Sequence, residues 1–402
     1  MGVNKTYLFR LFALAMLFYC HMPSLCAQTK SSTIVVEKPA QKKERYTVAV
    51  LTPMYLDSFD LAKNLANIPD FALPGIEFYK GIQMAADTLN RAGIKVDVHV
   101  YDTRSKYLSL ARLIETKKFD SVDCIIGNVS GSEIQQLAAF CKSKEIMLIS
   151  AVSPNDGEQE ANPYFVLLQP RLQTHMQKLR KQINSKHTVD NIIFCKRDGN
   201  NAENNAWNYF NKEVSTSSEA TKSINIKGDV LTVAMLAPKL DKQRTNVIVL
   251  AVLGTDAAEQ NLQVIQEFRM QGYDIVVYGM PTWRDMEILK NTELIGDMHV
   301  YITTAYTLED LRDEQKYVQN TFKTEMGSEP SNIVFKGFDA LYFFSHLLNA
   351  NGKPMAKYLS KNNKHFCTPY SIAPAYDNEV FKYYENKFLY LAHFHNGTVK
   401  HE

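Results

Sequence analysis

The sequence predicts an α/β protein of two lobes, each a parallel sheet flanked by helices, and three observations lead there. Its 402 residues exceed what one ordinary core holds, so size points to two lobes of about 150 to 200 residues each. Apolar runs without polar alternation, as at 124–127 and 146–150, are the pattern of strands covered on both faces. These runs alternate with segments of helical period, and repeated strand-then-helix units build a parallel sheet. With 45% hydrophobic and 22% charged residues, disordered and collagen-like chains are excluded.

Residues 1–27 read as a secretory signal peptide: Lys5 and Arg10 precede an apolar run, and a small-residue pattern ends at Ala27. That run is about ten residues long, far short of the roughly 20 of a membrane-spanning helix, so a secreted, soluble mature chain is expected. A lipoprotein anchor at Cys20 or Cys26 is the competing reading, against which stand the bulky residues preceding each cysteine. Residues 28–45 are polar, without periodicity, and read as a tether. A strand is expected at 46–51. A helix follows at 75–91, where Ile76, Tyr79, Ile82, Ala86 and Leu89 recur at helical spacing. An alternating strand at 94–101 leads to a helix at 105–118. The buried-type strands at 124–127 and 146–150 enclose another helix, and a strand at 164–168 ends this set.

The alternation resumes with a helix at 172–183, a strand at 191–196, a helix at 202–214 and a short strand at 223–226. A strand at 246–252, a helix at 257–271 and strands at 273–278 and 300–304 come next. The rhythm then changes to two long helices, 310–326 and 333–350, and a strand-like tail at 387–394.

Without residues 1–27 the chain carries 43 basic and 43 acidic side chains, and no basic stripe interleaved with aromatics, which excludes nucleic acid as an expected partner. Of the four cysteines left, Cys124 and Cys195 sit in strand-like runs as buried thiols, while Cys124 with Cys141 is a disulfide option that spacing alone does not decide. No nucleophile elbow, phosphate loop, dinucleotide fingerprint or H-E-x-x-H sequence occurs, so neither an enzyme nor a cofactor is expected. His393 and His395 share one strand face, which a surface pair explains more simply than a metal site.

The functional signal lies where the strands at 124–127 and 146–150 end abruptly in Gly, Ser and Asn. In an open parallel sheet, ligands bind beyond the carboxyl ends of the strands, where hydroxyls and backbone N–H groups of the next helix start receive an oxygen-bearing group. Ser130, Gly131, Ser132, Ser150, Ala151, Val152 and Ser153 occupy those positions. The bland alternative is that the serines cap their own helices.

The pieces Tyr46-Thr-Val-Ala-Val-Leu-Thr-Pro53, Gly81-Ile-Gln-Met-Ala-Ala-Asp-Thr-Leu-Asn90, Val98-His-Val-Tyr-Asp-Thr-Arg104, Val122-Asp-Cys-Ile-Ile-Gly127, Ile149-Ser150, Asn162-Pro-Tyr-Phe165 and Phe335-Lys-Gly-Phe-Asp-Ala-Leu341 follow one another along this order of elements. Together they resemble the type 1 periplasmic solute-binding proteins, of the leucine-binding or branched-chain amino-acid-binding kind that serve ABC importers. The resemblance implies two Rossmann-like lobes joined by three crossovers near 168, 300 and 368. The first lobe would be 46–168 with 300–368, and the second 169–299 with 369–402. It further implies a small solute trapped between the lobes by hinge closure, its carboxylate held by the two serine loops.

The second lobe departs from that pattern. Such binders place an acid after the strand ending at Tyr278 to pair with a ligand ammonium, whereas this chain has Gly279-Met280-Pro281-Thr282-Trp283. Asp198 is the substitute acid, and Trp283 and Tyr306 would wall an aromatic cleft; Trp283 packing into its own lobe is the alternative. Asp102 is expected to fix a turn. The leading expectation is capture of a solute, amino-acid-like or aromatic and oxygen-bearing, and its presentation to an ABC importer or receptor. An envelope-associated scaffold or sensor on the same fold is the alternative.

Overall fold

The computed structural model describes residues 42–59, 68–212, 221–307, 311–353, 355–361 and 365–402. The signal-peptide segment and most of the tether therefore lie outside the described residues. The described end of the tether is held to the sheet by Lys43 on Asp123 (2.6 Å) and Arg45 on Asp97 (2.7 Å).

Two seven-stranded sheets carry the structure. Strands β1 (Tyr46–Thr52), β2 (Val96–Asp102), β3 (Cys124–Gly127), β4 (Met147–Ser150) and β5 (Phe165–Leu167) enter the first sheet. They are joined there by β11 (Ile372–Asp377) and β12 (Val380–Asn386), in the order β11-β12-β5-β4-β3-β1-β2. The second sheet contains β6 (Asn191–Arg197), β7 (Lys222–Ile226), β8 (Asn246–Leu250), β9 (Ile275–Tyr278), β10 (His299–Thr304), β13 (Tyr390–His395) and β14 (Thr398–His401). Its order is β14-β13-β10-β9-β8-β6-β7. Neighbouring strands run parallel except β11 against β12, β10 against β13, and β13 against β14.

The flanking helices follow the sequence periods. The first lobe has α1 (Leu73–Arg91), α2 (Leu110–Glu115) and α3 (Ser132–Lys144). The second has α4 (Leu172–Lys186), α5 (Asn201–Asn211), the short α6 (Val233–Leu236), α7 (Thr255–Met270) and the short α8 (Thr292–Ile295). Helices α9 (Asp313–Met326) and α10 (Asn332–Asn351) return to the first lobe, where α10 lies against α1. Gly81 faces the Val334 carbonyl and Gly337 the Phe78 carbonyl so closely that any Cβ at either glycine would collide with backbone. Both glycines are therefore required for the approach of the two helices.

Three connections link the sheets: between β5 and α4, between β10 and α9, and between β12 and β13. This corrects two expected boundaries. Strand β10 belongs to the second sheet, so the crossing expected near 300 falls after Thr304; residues 372–386 belong to the first sheet, so the one expected near 368 falls after Asn386. The physical reason is the β11–β12 hairpin, closed by Asn378 and Glu379 at φ 45° and 66°, a two-residue turn of the kind that matches strand twist. Parallel pairing of β12 with β5 then keeps the hairpin in the first lobe. Cys124, Cys141, Cys195 and Cys367 are free and buried, so the Cys124–Cys141 disulfide option is not realised.

Candidate functional site

In the first lobe, Gly127 pairs with Ser150 in register, so the chain leaves β3 and β4 side by side at the same edge. The loop after β3 is anchored by the Asn128 amide, which donates to the Leu51 carbonyl (2.8 Å). Asn128 Nδ2 donates to Thr52 Oγ1 (3.2 Å), which donates in turn to the Gly75 carbonyl (3.1 Å). Gly131, at φ 58° and ψ −135°, turns the chain into α3 in a conformation costly for any other residue. No side chain caps α3, and Ser130, Gly131 and Ser132 are exposed, so these serines do not serve as the helix cap.

The loop after β4 divides. Ser150 is 1% exposed and its Oγ has no hydrogen-bond partner among the described residues. Ala151 is buried and Val152 half-buried. Ser153 is engaged locally: its Oγ accepts from the Asn155 amide (3.1 Å), while Asn155 Oδ1 accepts from Gly157 (2.8 Å). Asp102 fixes a turn, accepting from the amides of Met54, Tyr55, Leu56 and Arg104 at 2.9 to 3.2 Å. Beside it, Arg104 grips Glu133 of α3 with both guanidinium nitrogens (2.7 and 3.0 Å).

In the second lobe, Asp198 is exposed after β6. Its neighbour Arg197 is bound to buried Glu203 (2.7 Å) and to Asp229 (2.7 Å), and Glu203 also accepts from the Arg197 amide (2.7 Å). A cavity of about 410 Å³ lies at the ends of β6 and β8, lined by Arg197, Asp229, Thr255, Asp256 and Gln260. A second, of about 290 Å³, shares Arg197 and Asp229 and extends to Asp198 and Asn200. Trp283 corrects the aromatic-wall expectation. It is fully buried, its indole N–H donates to the Val252 carbonyl (2.7 Å), and its ring fills the space that a Cβ on Gly279 would need.

Tyr306 lies at the β10-to-α9 connection, half-buried, and its hydroxyl donates to Asp285 Oδ2 (3.3 Å). Two cations approach its ring, the Arg284 guanidinium at 5.8 Å and the Lys336 ammonium of α10 at 5.6 Å from the centroid. Burial drives the Lys336 amine down to about 8, and burial together with Asp285 drives the Tyr306 phenol up to about 12. Sequence reasoning missed Lys336, although a lysine inside the apolar stretch Phe335-Lys336-Gly337-Phe338 was a signal.

A second cluster joins the lobes at the other two connections. Buried Glu385 of β12 accepts from the Arg171 amide (2.9 Å), Thr174 Oγ1 (2.6 Å) and Lys387 Nζ (2.5 Å). Arg171 also reaches Asp156 (2.9 Å), which accepts from the Tyr383 hydroxyl (2.6 Å). Although burial alone would raise it, Lys387, Thr174 and Arg171 hold the Glu385 carboxyl below its ordinary value. A cavity of about 300 Å³ adjoins, lined from both lobes by residues including Asp156, Arg171, Tyr209 and Lys382. Among the described residues no group of three or more His, Cys, Asp or Glu side chains is arranged to hold a metal, and no helix is long and apolar enough to cross a membrane.

Two lobes with parallel sheets, linked by three connections, define a two-lobed binding-protein architecture. A model of the periplasmic binding protein family matches residues 70–362, and the chain belongs to that family. Among solved structures, the leucine-binding protein LivK of Thermotoga maritima is similar at 16% identity and a TM-score of 0.52, covering 89% of this chain and 97% of that one. A putative branched-chain amino-acid ABC transporter protein of Rhodospirillum rubrum reaches a TM-score of 0.67 at 14% identity, covering 89% and 100%. Full-length LpoA of Haemophilus influenzae reaches 0.60 at 13% identity, covering 90% of this chain and 60% of that one. At such identities the likeness shows the fold alone. No curated protein matches.

Proposed function

We propose that the chain is an extracytoplasmic, periplasmic solute-binding protein that traps a small molecule between its lobes by hinge closure and presents it to an ABC importer or receptor. The observation that carries this reading is the paired exit of the β3 and β4 loops, with the Ser130 and Ser132 hydroxyls exposed and the Ser150 hydroxyl unpartnered. A buried hydroxyl without a partner costs about 1–3 kcal/mol, a cost that a ligand oxygen would relieve. Ser130, Gly131, Ser132, Ser150, Ala151 and Val152 form the first-lobe half in this reading. Asp198 contributes from the second lobe, Tyr306 from the connection, and Trp283 only as core. The role is binding without covalent chemistry.

Calorimetry and thermal-shift screening over amino acids, small amides and aromatic acids test the reading. A saturable ligand weakened by Ser130→Ala and Ser150→Ala is expected, and the absence of any saturable ligand counts against it. The alternative, an envelope-associated scaffold, is favoured by one feature: the second lobe's Arg197 is already bound by Glu203 and Asp229. Co-purification with an envelope partner, unaffected by Ser130→Ala, would select it.

A further inference from the structure

Several cations around the lobe connections and strand ends are matched by carboxylates, Arg171 by Asp156 and Glu385, Arg197 by Glu203 and Asp229, Arg104 by Glu133, and Lys387 by Glu385, and Arg312 donates to the Phe366 and Cys367 carbonyls. Lys336 differs. It is only partly accessible, and neither a hydrogen bond nor an ion pair engages its ammonium among the described residues; its contact is the face of the Tyr306 ring. Withdrawing an ammonium from water without a counter-charge is costly, and lysines so placed are ordinarily paired. The nearby carboxylate, Asp285, is engaged by the Tyr306 hydroxyl and stands 3.7 Å from Arg284. Burial is what displaces the Lys336 titration, with no carboxylate opposing it.

The position suits a ligand group. Lys336 is on the first lobe, near the start of α10, where Ser331 at the helix cap is hydrogen-bonded to Glu77 of α1. Arg284 is on the second lobe, after β9, and Tyr306 is on the segment passing between them. Resting on the solute-capture reading above, we propose that Lys336 is a ligand-facing cation, and that the solute presents a carboxylate to its ammonium at the Tyr306 end of the cleft. The polarity there is the reverse of what a ligand ammonium would need.

The test is a thermal-shift and calorimetric screen of matched series: phenylacetate, benzoate, glutarate and isovalerate, each beside its amide and its amine. Binding is expected for one or more carboxylates, with the amide and amine weaker by about ten- to a hundredfold, the worth of a charge-assisted hydrogen bond. Lys336→Met should abolish that preference and Lys336→Arg should retain it. If amides or amines bind as tightly, or if Lys336→Met keeps the preference, the carboxylate assignment is overturned while solute capture stands. If no compound binds, the Lys336 amine is followed by NMR after reductive methylation, assigned by its loss in Lys336→Met, with and without excess acetate. A titration raised by acetate retains the anion site and removes the capture reading; an unmoved titration removes both.

Discussion

The two lobes share an architecture yet treat the ends of their strands differently. In the first, β3 and β4 end in small residues whose hydroxyls are exposed or unpartnered, and the turn-forming acid beside them, Asp102, is saturated by backbone amides. In the second, side chains beside the strand-end cavities are already paired or buried. Arg197 is pinned between two carboxylates, and Trp283 is drawn under the loop after β9 to donate to the Val252 carbonyl. A binding-protein lobe can thus keep its sheet and still move from presenting groups to consuming them. The first lobe invests in pre-placed donors, the second in rigidity.

The largest effect expected to break this contrast comes from Trp283→Ala. Removing a fully buried tryptophan costs about 3–5 kcal/mol, and the Val252 carbonyl also loses its donor. Since Trp207 lies on α5 and packs on the same core, fluorescence of the remaining tryptophan in the variant follows second-lobe unfolding. A lowered urea midpoint is expected, whereas little loss of stability would mean that Trp283 does not hold the second lobe.

Next in size is Glu385→Gln, which tests the bridge between the lobes. The neutral amide would leave Lys387 without its buried counter-charge and Arg171 with Asp156 alone, a loss of about 3 kcal/mol. Fluorescence and far-UV circular dichroism should both shift, because the cluster unites β12 of the first lobe with the start of α4 in the second. A shift confined to one probe would show that the cluster serves a single lobe.

The lobes should also answer pH with opposite signs. His175, buried in the second lobe with Nδ1 2.8 Å from Thr303 Oγ1, is pushed down to about 4 by desolvation. Below the unfolded value near 6.5 the unfolded chain takes a proton that the folded ring refuses, so stability falls as pH drops from about 6.5 towards 4, by about 3 kcal/mol. Asp339 in the first lobe is pushed up to about 7 by burial, opposed by the amides of Cys367 (2.7 Å) and Thr368 (2.8 Å). A carboxyl raised in the folded state contributes stability below its unfolded value and loses it as pH rises through about 7. His175→Gln should flatten the fall in stability towards acid pH, and Asp339→Asn the opposing fall that runs from 3.8 up through about 7; a variant whose slope matched the parent's would refute its assignment.

How much of this was legible in the sequence follows from the range of the interactions. The β3 and β4 loops announce themselves because an apolar run stops within two residues at Gly127 and at Ser150, a local signal of a buried strand and a polar edge. The first lobe's sheet was readable for the same reason. What escaped was non-local: Glu385 meets Arg171 and Thr174 more than two hundred positions away, and the parallel pairing of β12 with β5 follows a hairpin whose turn residues, Asn378 and Glu379, were passed over. Trp283 was ambiguous because a tryptophan after a strand suits a cleft wall or a core equally. Gly279, by leaving room for the indole, is what decides it.

The smallest effects on stability should be those at the serines, and they sharpen the contrast most. Ser130 is exposed and makes no hydrogen bond among the described residues, so Ser130→Ala should change the unfolding free energy by less than about 0.5 kcal/mol. Ser150→Ala removes a buried hydroxyl that already lacks a partner, which should be neutral or slightly stabilising, unlike the loss expected for a hydroxyl in a satisfied network. Residues that cost nothing to remove from the unliganded fold, yet weaken a ligand found by screening, are functional rather than structural. Thr52→Val is the internal control, since its hydroxyl donates to the Gly75 carbonyl and accepts from Asn128. It should destabilise by about 1 kcal/mol or more. If Ser150→Ala proved as destabilising as Thr52→Val, the Ser150 hydroxyl would be part of the scaffold, and the first lobe would resemble the second in having its polar groups already bound.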